Sequence, residues 1–250
     1  MFKGISFYFF IMLASIGYHY DKPHATYGVL QNFKHIYPNS TSVIINDGGS
    51  PHLKEIAETF NAHYIESRNL GVGNHLDDIE VMIEWVERYF KAIDLITEPY
   101  FINLEDDIII TRPLSFEHLQ GEIIGLNENA RLPDKVTTYL KQFNPHIQEE
   151  RTIYSATGGC IFRTDFFKKI AQEDWKKEMY IYAELSKRFS KTEQSWYHND
   201  CCVSFLCLRY GGKIIQSPEY CDLNVHPFNP NAVVYHHHHR INTNHVSPYQ

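Results

Sequence analysis

Residues able to do chemistry cluster in three places. Glu105-Asp106-Asp107 sets three carboxylates side by side, between the apolar pieces Phe101 to Leu104 and Ile108 to Ile110. Like charges this close repel, so the triplet costs stability unless a cation offsets it. Oxygen ligands suit Mg2+ or Mn2+, and an ion held by few carboxylates keeps positions open for substrate phosphates. Such an ion neutralises a departing diphosphate. A solvated turn at a strand exit is the plainer reading; the apolar flanks favour a built site. Asp200 opens an apolar stretch that runs to Tyr210. A carboxylate there suits a general base for a weakly nucleophilic hydroxyl, and equally a helix start, as an N-cap or a partner of the helix dipole. The third place is His236-His237-His238-His239-Arg240, which ten further residues follow, so it is no terminal tag. Val233 to Tyr235 reads as a strand leading into it, which puts His236 and His238 on one face. They are either metal ligands or a surface patch with incidental metal affinity. The planar Arg240 guanidinium suits a diphosphate.

These residues need elements to position them, and the first half of the chain supplies a strand-helix alternation. Ile5 to Ala14 is a continuous apolar run ending in Ala14-Ser15, as expected of a strand buried on both faces. Pro23 to Ile36 has helical spacing with Pro23 in the first turn. Thr41 to Asn46 is a β-branched strand ending at Asp47. Ser50-Pro51 starts a helix with Leu53, Ile56, Ala57 and Phe60 on its buried stripe. His63 to Glu66 is a third strand. The helix from Leu76 to Ile93 keeps one apolar face and leaves Asp77, Asp78, Glu80, Glu84, Glu87 and Arg88 mostly to solvent. Tyr100 to Leu104 is a fourth strand that runs into the carboxylates. Such repetition predicts a mostly parallel sheet covered on both faces, with ligands beyond the carboxyl ends of its strands. Ala14-Ser15, Asp47 and Glu105 to Asp107 all follow expected strand ends. The second half is less regular. Pro113 to Glu150 is read as an annex over the sheet, and Thr152 to Arg163 as a strand interrupted by Thr157-Gly158-Gly159. Residues 165–190 are read as largely helical, and Gly211-Gly212 stops a helix from Asp200. Lys213 to Gln216 is a short strand.

Composition sets outer bounds. The 250 residues fit one large domain or a domain with an annex, and 43% hydrophobic content is ample for a core. A net charge of -7 lacks the footprint of a general nucleic-acid binder. There is no internal repeat or low-complexity tract. The five cysteines, three of them on the helix after Asp200, are read as reduced and buried. A bridge between Cys160 and Cys221 is the alternative. Lys3 and the apolar run after it also match a short signal peptide. The strand reading is preferred because the following segments pair naturally with such a strand. The run is too short for a comfortable membrane span. A cytoplasmic protein is expected, acting alone or beside a membrane.

Taken in order, four segments resemble the GT-A fold glycosyltransferases, family 2-like members especially: TSVIINDGGS at 41–50, PYFINLEDDIII at 99–110, TGGCIFRTDFF at 157–167 and HNDCCVSFLCLRYGG at 198–212. The resemblance spans nearly the whole chain. It implies an α/β nucleotide-diphospho-sugar transferase in which residues 1–112 hold the donor and 113–250 the acceptor. It implies a UDP-sugar as the favoured donor, a glycan or glycoconjugate hydroxyl as acceptor, and Mn2+ or Mg2+. Asp47 matches the acid that contacts the donor base or ribose, and Ala14 and Ser15 the first-strand end near the nucleotide. Glu105 and Asp107 match the outer positions of the DxD motif, with Glu in place of the first Asp, which implies both at the metal and Asp107 as its direct ligand. Asp106 lies between them at the donor. Asp200 matches the base of inverting members, with Asn199 replacing its usual acidic neighbour. A C-terminal histidine completes the metal site in some members, a role open to His236 or His238, with His226 a further candidate. Gly158 and Gly159 let backbone approach the sugar, or form a bulge. Trp196 and Tyr197 are available to stack on it. A nucleotidyltransferase would want a glycine-rich basic loop, which Gly17 to Lys22 does not offer. A non-catalytic sugar-binding protein of the same fold is the third reading.

Overall fold

The computed structural model describes residues 12–70, 78–115, 119–125, 132–147, 158–186, 199–223 and 227–237. Its elements run β1 Leu13–His19, α1 Pro23–Ile36, β2 Ser42–Asp47, α2 His52–Thr59, β3 His63–Ser67, α3 Ile79–Asp94, β4 Tyr100–Asn103 and β5 Ile109–Ile110. There follow β6 Ile123–Gly125, α4 Asp134–Leu140, β7 Ile161–Arg163, α5 Thr164–Ile170, α6 Trp175–Ser186, α7 Asn199–Arg209, β8 Ile214–Gln216, β9 Tyr220–Asp222 and β10 Val234–His236.

Seven strands form one sheet in the order β3-β2-β1-β4-β7-β6-β8. β7 alone runs against the rest, antiparallel to both β4 and β6. A mostly parallel α/β sheet is therefore what the strand-helix alternation produces. β5, β10 and β9 make a second sheet of three strands, and this small sheet carries much of the candidate site.

β1 is central, but it starts later than its hydrophobicity suggests. Residues 1–11 lie outside the described residues, and the strand runs from Leu13 to His19. Pairing fixes that register: Ser15 sits opposite Ser42, their hydroxyls 2.9 Å apart, and Leu13 opposite Tyr100. Ala14 and Ser15 are therefore buried inside the strand rather than at its end. The carboxyl end of the strand is formed instead by Tyr18 and His19.

Beneath the sheet, α3 buries Met82, Ile83, Trp85, Val86, Tyr89, Phe90 and Ile93. Asp78 caps it, its side chain accepting from the N–H groups of Glu80 and Val81 at 3.0 and 3.3 Å, a contact worth about 1 kcal/mol. Phe101 of β4 and Phe162 of β7 are cross-strand neighbours stacked at 5.0 Å, with Tyr89 and Phe167 set edge-on against them. Each such ring contributes roughly 2–3 kcal/mol through burial. Part of the expected annex belongs to the main sheet, because Ile123 and Ile124 are fully apolar and pair with β7 and β8. Ser50 remains close to its expected capping role, its hydroxyl 3.4 Å from the His52 N–H, while Pro51 holds the cap position. All five cysteines are buried thiols outside any disulfide, so Cys160 and Cys221 are not bridged. No helix among the described residues is long and apolar enough to cross a membrane.

Arg88 departs from the solvated place its helical position suggested. It is buried, and its guanidinium donates to Asp47 Oδ1 at 2.9 Å, Ser67 Oγ at 2.8 Å, the Arg68 carbonyl at 2.9 Å and Glu84 Oε1 at 2.5 Å. The fork ties α3 to the carboxyl ends of β2 and β3. Removing one partner of a buried pair leaves the other uncompensated. Arg88→Met should therefore cost roughly 3 kcal/mol, the low end for such pairs because both carboxylates reach solvent. Urea unfolding measures this, and a loss below about 1 kcal/mol, the ordinary size of a surface change, would contradict it.

Candidate active site

The first sheet changes direction of growth at β1: β2 and β3 add on one side, β4 on the other. In open α/β sheets this switch point opens a crevice beyond the carboxyl ends of the strands. A cleft of about 620 Å³ lies there, lined by residues that include Tyr18, His19, Asp47, Trp85, Glu105 and Asp106. Tyr18 stacks on Trp85 at 4.8 Å. Asp47 reaches the cleft from the end of β2, with Oδ1 held by Arg88 and by the Leu70 N–H at 3.2 Å. Burial pushes its carboxyl up, against those two hydrogen bonds. Lys22 bridges to Asp106 at 2.9 Å.

His19 is buried and lies 3.0 Å through Nδ1 from the Thr26 hydroxyl. Burial holds its imidazole down at about 4, although Asp106 and Glu105 pull it up. Unfolded, it titrates near 6.5. With the folded value lower, its contribution to stability is complete above pH 6.5 and is lost as pH falls toward 4. The loss amounts to roughly 3 kcal/mol at full extent. His19→Gln should flatten the fall in unfolding free energy between those values relative to the parent; parallel curves would show that His19 does not titrate this way.

The acidic turn leaves β4 beside the end of β1, the Leu104 N–H donating to the Ile16 carbonyl at 2.8 Å. It then enters β5. β10 runs antiparallel to β5, with Tyr235 opposite Ile109, so the chain leaving β10 passes the triplet. β9 lies parallel on the other side, with Asp222 opposite His236. The small sheet thus brings Asp107, Asp222, His236 and His237 together. His236 Nε2 is 3.5 Å from both Glu105 Oε2 and Asp107 Oδ1, and His237 Nε2 is 3.8 Å from Asp107 Oδ2. Burial opposes a charge on His236, yet its hydrogen bond to Asp222 and the Glu105 and Asp107 carboxylates push it up to about 10. Burial also raises the Asp107 carboxyl, with Glu105 adding and the two histidines opposing.

Gly158 faces this cluster, whereas Gly159 backs onto Val234, Tyr220 and Ile108. A Cβ on Gly158 would lie 2.7 Å from the Glu105 carboxylate and 3.0 Å from His236 Nε2. Gly159 takes φ +83°, which disfavours any side chain. At Gly158 the backbone approaches the carboxylate and imidazole. Asp200 sits half-buried in the first turn of α7. The buried Tyr89 hydroxyl, raised first by desolvation, also feels the charges of Glu105 and Asp200.

Among the described residues, His237 is the second imidazole at the cluster. Strand alternation stops at His236, and His237 adopts φ 59°, which folds its ring onto that of His236 at 3.7 Å. His238 and Arg240 lie outside the described residues, as do Trp196, Tyr197, His226 and loop residues 71–74. Asp222 carried no motif, and no sequence signal marked it.

Sheet, crevice and acidic turn together define a GT-A fold, and solved structures agree. The galactosyltransferase LgtC, solved with donor and acceptor sugar analogs, matches at TM-score 0.50 and 13% identity, over 89% of this chain and 86% of that one. An active-site mutant of LgtC matches at TM-score 0.50 and 14% identity over the same shares. S. aureus TarS is more distant, at TM-score 0.46 and 11% identity, over 90% of this chain and 36% of that one. No protein-family model matches the chain, and no curated protein does.

Proposed function

We propose that this chain is a glycosyltransferase that moves a sugar from a nucleotide-diphosphate sugar, a UDP-sugar first, to a hydroxyl of a glycan or glycoconjugate. The observation that carries this is the Asp107, His236 and His237 cluster, placed beside the switch-point crevice of a GT-A fold. One ligand atom from each lies within 4.8 Å of the others. Bonds of about 2.0–2.2 Å to a shared ion require only small movements from there. The space that a Cβ at Gly158 would fill borders His236 Nε2 and the neighbouring Glu105 carboxylate. The donor set, one carboxylate and two imidazoles, fits Mn2+ better than Mg2+. When bound, that ion offsets the charge of the departing diphosphate.

The chain's own residues do the rest. Tyr18 and Trp85 offer an aromatic wall for the nucleoside, and Asp47 a hydrogen-bond acceptor for base or ribose. Asp200 takes the proton of the acceptor hydroxyl as its oxygen bonds to the anomeric carbon. The bond from that carbon to the diphosphate breaks on the opposite face, so the sugar is inverted. Donor contacts fall to residues 1–112 and acceptor contacts to 113–250. The test incubates the protein with a panel of nucleotide-sugars and Mn2+ and measures release of nucleoside diphosphate. Turnover of at least one donor, lost on chelation, is expected, and NMR of the product should show the inverted anomer. No release from any nucleotide-sugar would sink the proposal and favour a sugar-binding protein of this fold.

A further inference from the structure

The strands β9 and β10 set Asp222 directly beside His236. Its side chain is 2% exposed, and it meets two imidazoles at once: His236 Nδ1 lies 3.0 Å from Oδ2 and His237 Nδ1 2.9 Å from Oδ1. The left-handed backbone at His237 makes this possible, because it returns the ring to the same carboxylate. Both Nε2 atoms then turn toward Asp107. A carboxylate accepts hydrogen bonds and does not donate them. A ring that gives up one proton to a cation therefore keeps the other on Nδ1 and presents the Nε2 lone pair to the cation position. One buried carboxylate fixes the tautomer of both histidines.

We propose that Asp222 is a positioning residue that turns His236 and His237 into a paired nitrogen grip, so that the centre selects Mn2+ and similar imidazole-binding ions over Mg2+. The inference rests on the reading of Asp107, His236 and His237 as cation ligands. Mg2+ gives up water reluctantly and prefers oxygen, so a second imidazole works against it. Outer partners of this kind typically change metal affinity by about 10–100-fold.

Asparagine at this position makes the test sharp. Its amide oxygen accepts from one Nδ1–H, but its NH2 group donates to the other ring and drives that ring to the Nε2–H form, which cannot ligate. Calorimetric titration of the full chain with Mn2+ and with Mg2+ should show Mn2+ bound about 100-fold tighter, and D222N should lose about 10–100-fold in Mn2+ affinity with little change for Mg2+. Pulsed EPR of the Mn2+ form should show nitrogen couplings from two imidazoles in the parent and one in D222N. A second measurement needs no substitution: 15N NMR of histidine-labelled parent protein loaded with Zn2+ should find both rings protonated at Nδ1. Either ring protonated at Nε2, a single nitrogen in the parent, or two nitrogens retained in D222N would overturn the role of Asp222 while leaving the glycosyltransferase reading standing. A parent that binds no Mn2+ would overturn both.

Discussion

Asp107→Asn should lower Mn2+-dependent donor turnover by about a thousandfold or more, yet leave the metal-free protein at least as stable as the parent. The two effects have opposite signs for one reason. Asp107 is half-buried beside Glu105 and Asp106, and its surroundings raise its carboxyl even with two histidines opposing. A carboxyl raised in the folded state costs stability once pH passes that value, so at neutral pH a neutral amide of the same shape removes a penalty. The same amide deprives the cation position of its only anionic ligand in the Asp107, His236 and His237 group. Several kcal/mol of transition-state charge stabilisation then goes, and each 1.36 kcal/mol is about tenfold in rate. Thermal unfolding with and without Mn2+ reads both halves. The variant should keep or raise the metal-free midpoint and lose the Mn2+-induced rise. A variant that melts earlier without metal, or that retains more than about a tenth of parental turnover, contradicts the account.

The sequence made the first half of the fold readable because each strand there is a short apolar run beside a helical period. Thr41 to Asn46 and Tyr100 to Leu104 could hardly be anything but buried strands, and the carboxylates after them fall at the crevice. β1 was misplaced because apolar residues run from Ile5 through Ile16 with only Ser6 and Ser15 between them, so hydrophobicity marks no boundary; the strand's limits come from pairing with Ser42 and Tyr100. Arg88 looked solvated because its neighbours on the helix are charged, and its burial depends on carboxylates delivered from β2 and from the preceding turn of α3. His237 was hidden by a backbone rotation. Alternation is a property of strands, and a single positive φ after His236 turns the His237 ring back onto that of His236. Asp222 was invisible for a different reason. It reaches His236 through parallel pairing of two three-residue strands, and such short segments leave no periodic trace.

The second large effect concerns Asp200. Asp200→Asn should lower kcat by about 100- to 10,000-fold while leaving donor KM and the Mn2+-induced rise in unfolding temperature near parental values. The carboxylate stands in the first turn of α7, a helix whose buried face carries Cys201, Cys202, Phe205 and Leu206. A helix held by that much apolar surface does not depend on one polar residue near its start, where loss of a favourable charge costs typically about 0.3–1 kcal/mol, the size of an ordinary surface change. A purely structural Asp200 would thus give a slightly weaker protein with unchanged chemistry. A base gives the reverse: the amide cannot accept the hydroxyl proton, so the step fails although donor and metal still bind. The pH dependence separates the two further. In the parent, kcat/KM should fall on the acid side as the base becomes protonated, and in the asparagine variant that limb should vanish with the residual rate. A variant that keeps the acid limb and most of its kcat would show that Asp200 holds the helix and that some other group accepts the proton.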